Sequence, residues 1–548
     1  MHIYKKLVLG LAALTGLMPL NARNHLSVDV DRKVMPVLVG LDGSPVEKIT
    51  LIGSGKTCTI DKIGLGFNGT TDMSDIRSVG LYGADKNGNI DRNALLSVVD
   101  IDSRSAGRLF SPVTIAADTT ELWLGVTLAD SVDLKHRIGI NLTTVSTSEG
   151  KVKLNRAAAA PMRIGVAVRR RGQDGVASSR IPGIATANDG TLLAIFDARY
   201  DSKRDLQGNI DIALHRSTDR GSTWQPMQIV LDMGQWGGLP EKYNGVSDAC
   251  ILVDKNSGDI FVAGLWMHGA LDDDGHWIEG LDENSTYWIH QWRKKGSQPG
   301  LGVKQTSQFM ITKSSDDGRT WSFPHNITTD TKRPEWWLFA PAPGQGIMLT
   351  DGTLVFPTQG RDENGHPFSN ITYSRDHGKS WITSNPAYGN VTECNAVQLS
   401  DGTIMLNMRD NTNRGVVSPN GRRVCTSADM GETWVEHSTS HHVLTEPTCM
   451  AALHKHEYTD AQGRQQAMLL FSNPNHHKLR EGMTLKVSFD DGTSWPEVFQ
   501  ILYDQTRCAG YSSLTSVDEH TIGLLYESGL ADLVFIQFDI DEILNPNK

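Results

Sequence analysis

The chain has 548 residues, 39% hydrophobic and 21% charged, with a formal net charge of −11. That length allows two or three domains with ample core, and the composition is that of ordinary globular protein. The acidic balance argues against nucleic acid and anionic membrane surfaces as partners.

Met1–Ala22 carries Lys5 and Lys6, an apolar run Leu7–Leu20 and then Asn21-Ala22. This pattern predicts a secretory signal cut after Ala22, with the mature chain exported to the periplasm or beyond the cell. The apolar run is too short to span a bilayer, and no other stretch is long enough. Export permits disulfides, but the six cysteines sit mostly inside apolar runs, which predicts buried free thiols. No cysteine or histidine spacing suggests a metal site, and no cofactor is expected.

Residues 23–155 show short β-rich runs: Val34–Val39, Lys48–Ile52, Thr57–Ile63, Ile76–Tyr82, Glu121–Thr127 and Arg137–Val145. Turn residues separate them, as in a small β-sandwich. Carbohydrate binding and simple packing are both open for it. Arg156–Pro161 reads as a linker.

From residue 160 onward two signals alternate. Asp189-Gly190, Ser257-Gly258, Asp351-Gly352 and Asp401-Gly402 each precede an apolar run, with looser versions at Asp460–Gly463 and Asp518–His520. Each reads as a hairpin turn. The second signal is S-x-D-x-G-x-[TS]-W, found at Ser217–Trp224, Ser314–Trp321, Ser374–Trp381, Ser427–Trp434 and Ser488–Trp495. Its Ser and Asp bond nearby backbone, its Gly takes a positive φ, and its Trp packs on the body. These are structural turns. Six hairpins in such repeats predict an all-β, six-bladed propeller over residues 160–548. Between the first two boxes an insertion around Trp266–Gly302 holds Trp266, Trp277, Tyr287, Trp288 and Trp292. Such a loop either lines a site or covers blade edges.

A strand that runs to a tight turn and back places its two ends together. Arg180 and Arg199 flank Asp189-Gly190; Glu393 and Arg409 flank Asp401; Tyr511 and Glu527 flank Glu519; Asp248 precedes Ser257-Gly258. One end of the blades therefore gathers Arg180, Arg199, Asp205, Asp248, Glu393, Arg409, Tyr511 and Glu527. The boxes fall at the other end. Several arginines facing one point need an anion between them, and arginine forks suit carboxylates.

From Ala160 on, the chain resembles the bacterial exo-α-sialidase (neuraminidase) family. The resemblance rests on Arg180-Ile181-Pro182, the five boxes, and the ordered Asp, Glu, Arg, Arg, Tyr series. It implies that Arg180, Arg409 and Arg480 grip the sialic acid carboxylate. Tyr511 matches the nucleophile, Glu393 its base partner and Asp205 the acid/base, although Asp201 and Asp211 lie in the same loop. Glu527 matches the residue that holds the first arginine. Arg199 and Asp248 match residues lining the sugar's N-acetyl and glycerol side. The implied partners are sialylated glycans, glycoproteins or glycolipids. The implied activity is hydrolysis of terminal sialic acids. A non-catalytic propeller lectin, a trans-sialidase and a related nonulosonic-acid hydrolase are the alternatives.

Overall fold

Each repeated box closes on itself. At the first, Ser217 Oγ donates to Asp219 Oδ1 at 2.8 Å and accepts from Gly221 N at 2.8 Å. Asp219 in turn accepts from Thr223 N at 2.9 Å and Thr223 Oγ1 at 2.5 Å. The same bonds recur at Ser314, Ser374, Ser427 and Ser488. Hydrogen bonds from Thr433 hold the exposed Asp429 carboxyl down at about 2. The turn is thus satisfied internally, and its glycine turns inward. Gly221 has φ +90°, and a Cβ there would lie 2.1 Å from Phe535 of the last repeat. Trp224 packs edge-on against the same ring, 5.3 Å between centroids.

The computed structural model describes residues 27–52, 57–101, 112–115, 119–147, 150–156, 160–206, 208–267, 274, 278–282, 284–285, 297–303 and 305–546. The expected signal, Met1–Ala22, lies outside them, as do Trp277, Tyr287, Trp288 and Trp292 of the insertion. Among the described residues the protein is all-β, with only two short α-helices, Thr328–Thr331 and Ile540–Leu544. No described helix is long and apolar enough to cross a membrane. Five cysteines are free thiols: Cys250, Cys394, Cys425 and Cys449 are buried, and Cys508 is partly so.

All six expected hairpins form, each opening a sheet of its own. The leading strands are Ser178–Thr186, Val246–Val253, the interrupted Leu338–Met348 segment, Val391–Gln398, Ala452–Thr459 and Ser512–Asp518. Leading strands of neighbouring sheets contact one another, except that the third sheet meets the fourth through Leu354–Arg361 and Pro367–Ser374, and the sixth returns to the first. Ile184 N donates to Ser513 Oγ at 3.1 Å across that last seam. The third leading strand departs from the pattern. Leu338–Pro341 and Ile347–Met348 pair with Leu354–Arg361, while Gly344–Gln345 between them joins the second sheet. Pro341 and Pro343 supply no N–H to a ladder, which explains the break.

The sixth sheet is completed from the other end of the chain. Met162–Arg169 pairs antiparallel with Leu533–Asp539. Val37–Val39, from the N-terminal region, then adds in parallel to Met162–Arg169. The rest of that region forms two sheets, of six and four strands, which bury one apolar cluster that includes Ile49, Leu81, Leu124, Ile63 and Leu142. Arg137–Ile138 also crosses over to pair with Met162–Arg169. Two runs expected inside the N-terminal unit therefore stitch it to the repeats.

The hairpin turns and the boxes meet at one end of the sheets. His377 Nδ1 lies 2.6 Å from Asp254, and Lys313 Nζ 3.1 Å from Asp259. We predict that Gly221→Ala, which adds strain at positive φ and a clash with Phe535, destabilises the fold by at least roughly 2 kcal/mol in a denaturant titration.

Candidate functional site

Irregular backbone builds the other end. The leading strands carry register shifts between Arg180 and Gly183, Ser247 and Cys250, and Val391 and Cys394. A bulge adds a residue to one strand and re-aims the side chains around it. Ile181 (φ 61°) and Asp248 (φ 56°) sit at two of these bulges. Positive φ is strained for a β-branched residue. Here the Ile181 N–H so exposed donates to Glu527 Oε1 at 3.0 Å.

The bulges turn polar side chains into a cavity of about 460 Å³ at the centre of the ring. Its walls include Arg180, Asp205, Asp248, Glu393, Arg409, Arg480 and Tyr511. Tyr511 is at its heart. Its Oη donates to Glu393 Oε1 at 2.5 Å and accepts from Arg409 Nη1 at 3.1 Å. Arg409 Nη1 also reaches Glu393 Oε2 at 2.6 Å. The guanidinium carbons of Arg180 and Arg480 each lie 5.6 Å from the centre of the Tyr511 ring. Three arginines, one phenol and one carboxylate from four different sheets thus face one point.

Each arginine is braced from behind. Arg180 Nε donates to Glu527 Oε1 at 2.5 Å. Arg480 Nη1 donates to the Ala509 carbonyl at 2.8 Å. Arg409 is held by Glu393, and its buried Nε makes no hydrogen bond. Glu527 does double duty, because its Oε2 accepts from Tyr511 N at 2.9 Å.

The electrostatics follow from burial and neighbours. Burial, then the Glu393 charge, pushes the Tyr511 phenol well above its ordinary value, against the pull of Arg409 and Arg480. The resting tyrosine is therefore protonated, and it needs a proton acceptor to act as a nucleophile. Burial would raise Glu527, yet Arg180 and the backbone bonds bring it below the usual glutamate range. Burial, with Glu393, Asp197 and Asp205 behind it, keeps Asp248 protonated well above the usual carboxylate range. Gln359 Nε2 donates to Asp248 Oδ2 at 3.1 Å.

One expected lining residue is placed otherwise. Arg199 is 1% exposed and stands behind the cavity wall. It donates to Asp197 Oδ2 at 2.8 Å and to Asp205 Oδ1 at 2.6 Å. Equal spacing about the turn pairs Arg180 with Arg199; the register at the turn and the bulge each shift the pairing by one residue, so Arg180 faces Asp197. Arg199 holds Asp205, whose side chain is 51% exposed at the cavity mouth. Asp201 and Asp211 do not line the cavity, and Asp211 is a buried residue of the strand Ile210–Ser217. Trp266 is buried and donates to Asn244 Oδ1 at 3.1 Å. Ser247, Gln359, Arg361, Thr392, Asn411 and Arg414 also line the cavity and were not expected there. Gln359 and Arg361 end the second strand of the third hairpin, so spacing about Asp351-Gly352 could have found them. Among the described residues no cluster of His, Cys, Asp and Glu could hold a metal ion.

Residues 181–527 match the BNR repeat-like domain family, and residues 25–114 match the N-terminal domain of BNR-repeat neuraminidase. The chain is 39% identical over 425 residues to a sialidase of Bacteroides fragilis, covering 77% of this chain and 73% of the relative. It is also similar to the solved structure of a Hadza microbial sialidase, with a TM-score of 0.83 and 31% identity, covering 94% of this chain and 100% of that one. An intramolecular trans-sialidase from Ruminococcus gnavus, at 20% identity and a TM-score of 0.52, shares the fold.

The repeat match begins and ends on two bonded residues, Ile181 and Glu527. Glu527→Gln leaves the Arg180 guanidinium without its charge partner, at an expected cost of about 3–5 kcal/mol in chemical denaturation. Because the folded carboxyl lies below its unfolded value, this stabilisation is present above about pH 4.3 and is lost as pH falls through the folded value. The difference in stability between wild type and variant should therefore shrink in acid.

Proposed function

We propose a mechanism for a chain that belongs to the sialidase family of BNR-repeat neuraminidases and is a glycoside hydrolase of the exo-α-sialidase type. It releases terminal sialic acids from glycoproteins or glycolipids with net retention, through a covalent bond to Tyr511. The observation that carries this reading is the 2.5 Å bond between Tyr511 and Glu393 inside a cage of three arginines.

Sialic acid carries its carboxylate on the anomeric carbon. A carboxylate nucleophile is repelled there, whereas a neutral phenol is not, which is why sialidases depart from the two-carboxylate pattern of most glycosidases. Arg180, Arg409 and Arg480 orient the sugar through that carboxylate. They also hold its charge as the anomeric carbon becomes oxocarbenium-like. Glu393 takes the phenolic proton while Tyr511 Oη bonds the anomeric carbon. Asp205 gives its proton to the departing glycosidic oxygen. Water, activated by Asp205, then displaces the phenol, which recovers its proton from Glu393. Asp248 and Gln359 meet the neutral polar groups of the sugar, and Arg199 positions Asp205.

The six sheets in a closed ring of contacts support a six-bladed propeller, with residues 160–548 as its extent. The two N-terminal sheets over one core support a β-sandwich for residues 23–155. The Lys5-Lys6 and Leu7–Leu20 pattern supports export.

Arg480→Lys keeps the charge and loses the fork. We expect kcat/KM on an α-sialoside to fall at least roughly tenfold, about 1.4 kcal/mol; wild-type kinetics would remove Arg480 from the clamp. Tyr511→Phe keeps the ring and removes only the oxygen. Its folding should survive while normal turnover drops by at least roughly a thousandfold, about 4 kcal/mol of barrier. NMR of the first-formed product checks the stereochemistry and separates hydrolysis from transfer to another sugar.

A further inference from the structure

A buried ion pair between the fourth and fifth sheets has no part in the steps above. Glu446 lies on the crossover from Val435–Glu436 to Ala452–Thr459, and Arg422 stands just before the strand Arg423–Ser427. Arg422 Nη1 donates to Glu446 Oε2 at 2.8 Å, and both side chains are 0% exposed. Neither belongs to the cavity wall. A pair at this depth is weak evidence of stability, because apolar residues of similar volume often do as well. The better-attested use of buried charge is to fix one arrangement of the surrounding chain over others.

The other bonds of this pair run toward two of the three clamp arginines. Glu446 Oε1 accepts from Asp410 N at 2.7 Å and from Asn413 Nδ2 at 2.9 Å. Asp410 directly follows Arg409 and ends the strand Ile404–Asp410. Asn413 belongs to the loop whose Asn411 and Arg414 line the cavity. On the other side, Arg422 Nη1 donates to the Cys449 carbonyl at 2.7 Å. The preceding carbonyl, of Thr448, accepts from Arg480 Nη2 at 3.4 Å. Thr448 has φ 54°, a strained value for a β-branched residue. This strained backbone thus offers two successive carbonyls to two arginines. Cys449 also packs against Ile181 and Tyr511. A chain of hydrogen bonds therefore runs from the backbone beside Arg409, through Glu446 and Arg422, to the support of Arg480.

We propose that Glu446 and Arg422 are positioning residues that set the separation of Arg409 and Arg480, and so govern how tightly the site grips a carboxylate that they never touch. That the carboxylate belongs to a sialic acid rests on the sialidase reading; the bridge between the two arginines does not. Arginine forks bind a carboxylate well only in the right geometry. A misplacement of about 1 Å can cost on the order of a hundredfold in rate. Arg409 and Arg480 come from different sheets, so their spacing needs a brace that spans the gap between those sheets.

The test uses the full-length protein and two ligands, 2,3-didehydro-2-deoxy-N-acetylneuraminic acid and its methyl ester, which lacks the negative charge. Calorimetric titration gives a dissociation constant for each, independent of turnover. Wild type should prefer the acid by at least about tenfold; equal binding of the two overturns the clamp and the proposal with it. Glu446→Gln keeps an acceptor for Asp410 N and loses the charge that holds Arg422. Its preference for the acid should shrink at least about fivefold, and KM for a small α-sialoside should rise by a similar factor. A role in stability alone would lower the active fraction and move neither constant. An unchanged preference in folded Glu446→Gln overturns the proposal. Should that variant fail to fold, the double variant Glu446→Gln with Arg422→Met removes both charges, which a buried site tolerates better than the loss of one. It should show the same loss of preference, and a wild-type preference there overturns the proposal. Failure of the sialidase reading shows separately, as wild type that hydrolyses no sialoside, while the titrations still decide the role of the pair.

Discussion

One carboxylate holds the site together. Glu527 accepts from Arg180 Nε, from Ile181 N and from Tyr511 N, at 2.5, 3.0 and 2.9 Å. Those three donors come from the first and the sixth repeat, whose sheets meet where the ring of contacts closes. The seam where the ring closes is therefore also where the clamp and the phenol are fixed relative to each other. A buried charge is tolerated only when paired and fully bonded, and Glu527 meets that condition at both oxygens. Its bond to the Ile181 N–H offsets the strain of a β-branched residue at positive φ. The arginine and the tyrosine are thereby set in place before any ligand arrives, and preorganised charge of this kind carries most of the work in many active sites.

The two ends of the sheets divide the labour. At the box end, five turns with the same bonds satisfy their own backbone and pack glycine against a neighbouring repeat. At the site end the repeats differ: the first, fourth and fifth bring the arginines Arg180, Arg409 and Arg480, the second brings Asp248, and the sixth brings Tyr511. The bulges at Arg180, Asp248 and Glu393 interrupt the ladder, and side chains make up for it at two of them, Glu527 accepting from Ile181 N and Ser369 Oγ donating to the Thr392 carbonyl. Regular turns confine the irregular backbone to one face, and the chemistry sits in that face. The same economy appears at the edges. The sixth sheet is closed by Met162–Arg169 and then covered by Val37–Val39, so a strand edge that would invite association is paired within the chain.

Much of this was legible because turn chemistry is local. Asp-Gly pairs and the Ser, Asp, Gly and Trp of each box announce themselves within a few residues, so the six hairpins and the end they share followed from spacing. The approach of Glu393 and Arg409 did too, because that hairpin has its turn midway between them. Arg199 shows where spacing stops. The turn and a bulge each shift the register by one residue, and the bulge has no signature in Arg180-Ile181-Pro182-Gly183 beyond the restriction that Pro182 places on its predecessor. Pairing between distant segments is equally silent. Nothing near Val37 or Arg137 says that these strands leave their own sheets for Met162–Arg169. Trp266, grouped by composition with the aromatics of the insertion, is a strand residue packed against Trp236, 4.4 Å between ring centroids.

The account turns on Tyr511 as the group that bonds the sugar. A 2,3-difluorinated sialosyl donor slows both displacements, because fluorine beside the anomeric carbon destabilises its developing positive charge, while fluoride as leaving group keeps the first step accessible. Incubation with the native enzyme, followed by peptide mass spectrometry, reads the covalent partner directly. The account predicts a sialosyl adduct on the peptide carrying Tyr511, at that residue. An adduct on Glu393, Asp205 or any other residue, or inhibition with no adduct at all, would contradict it.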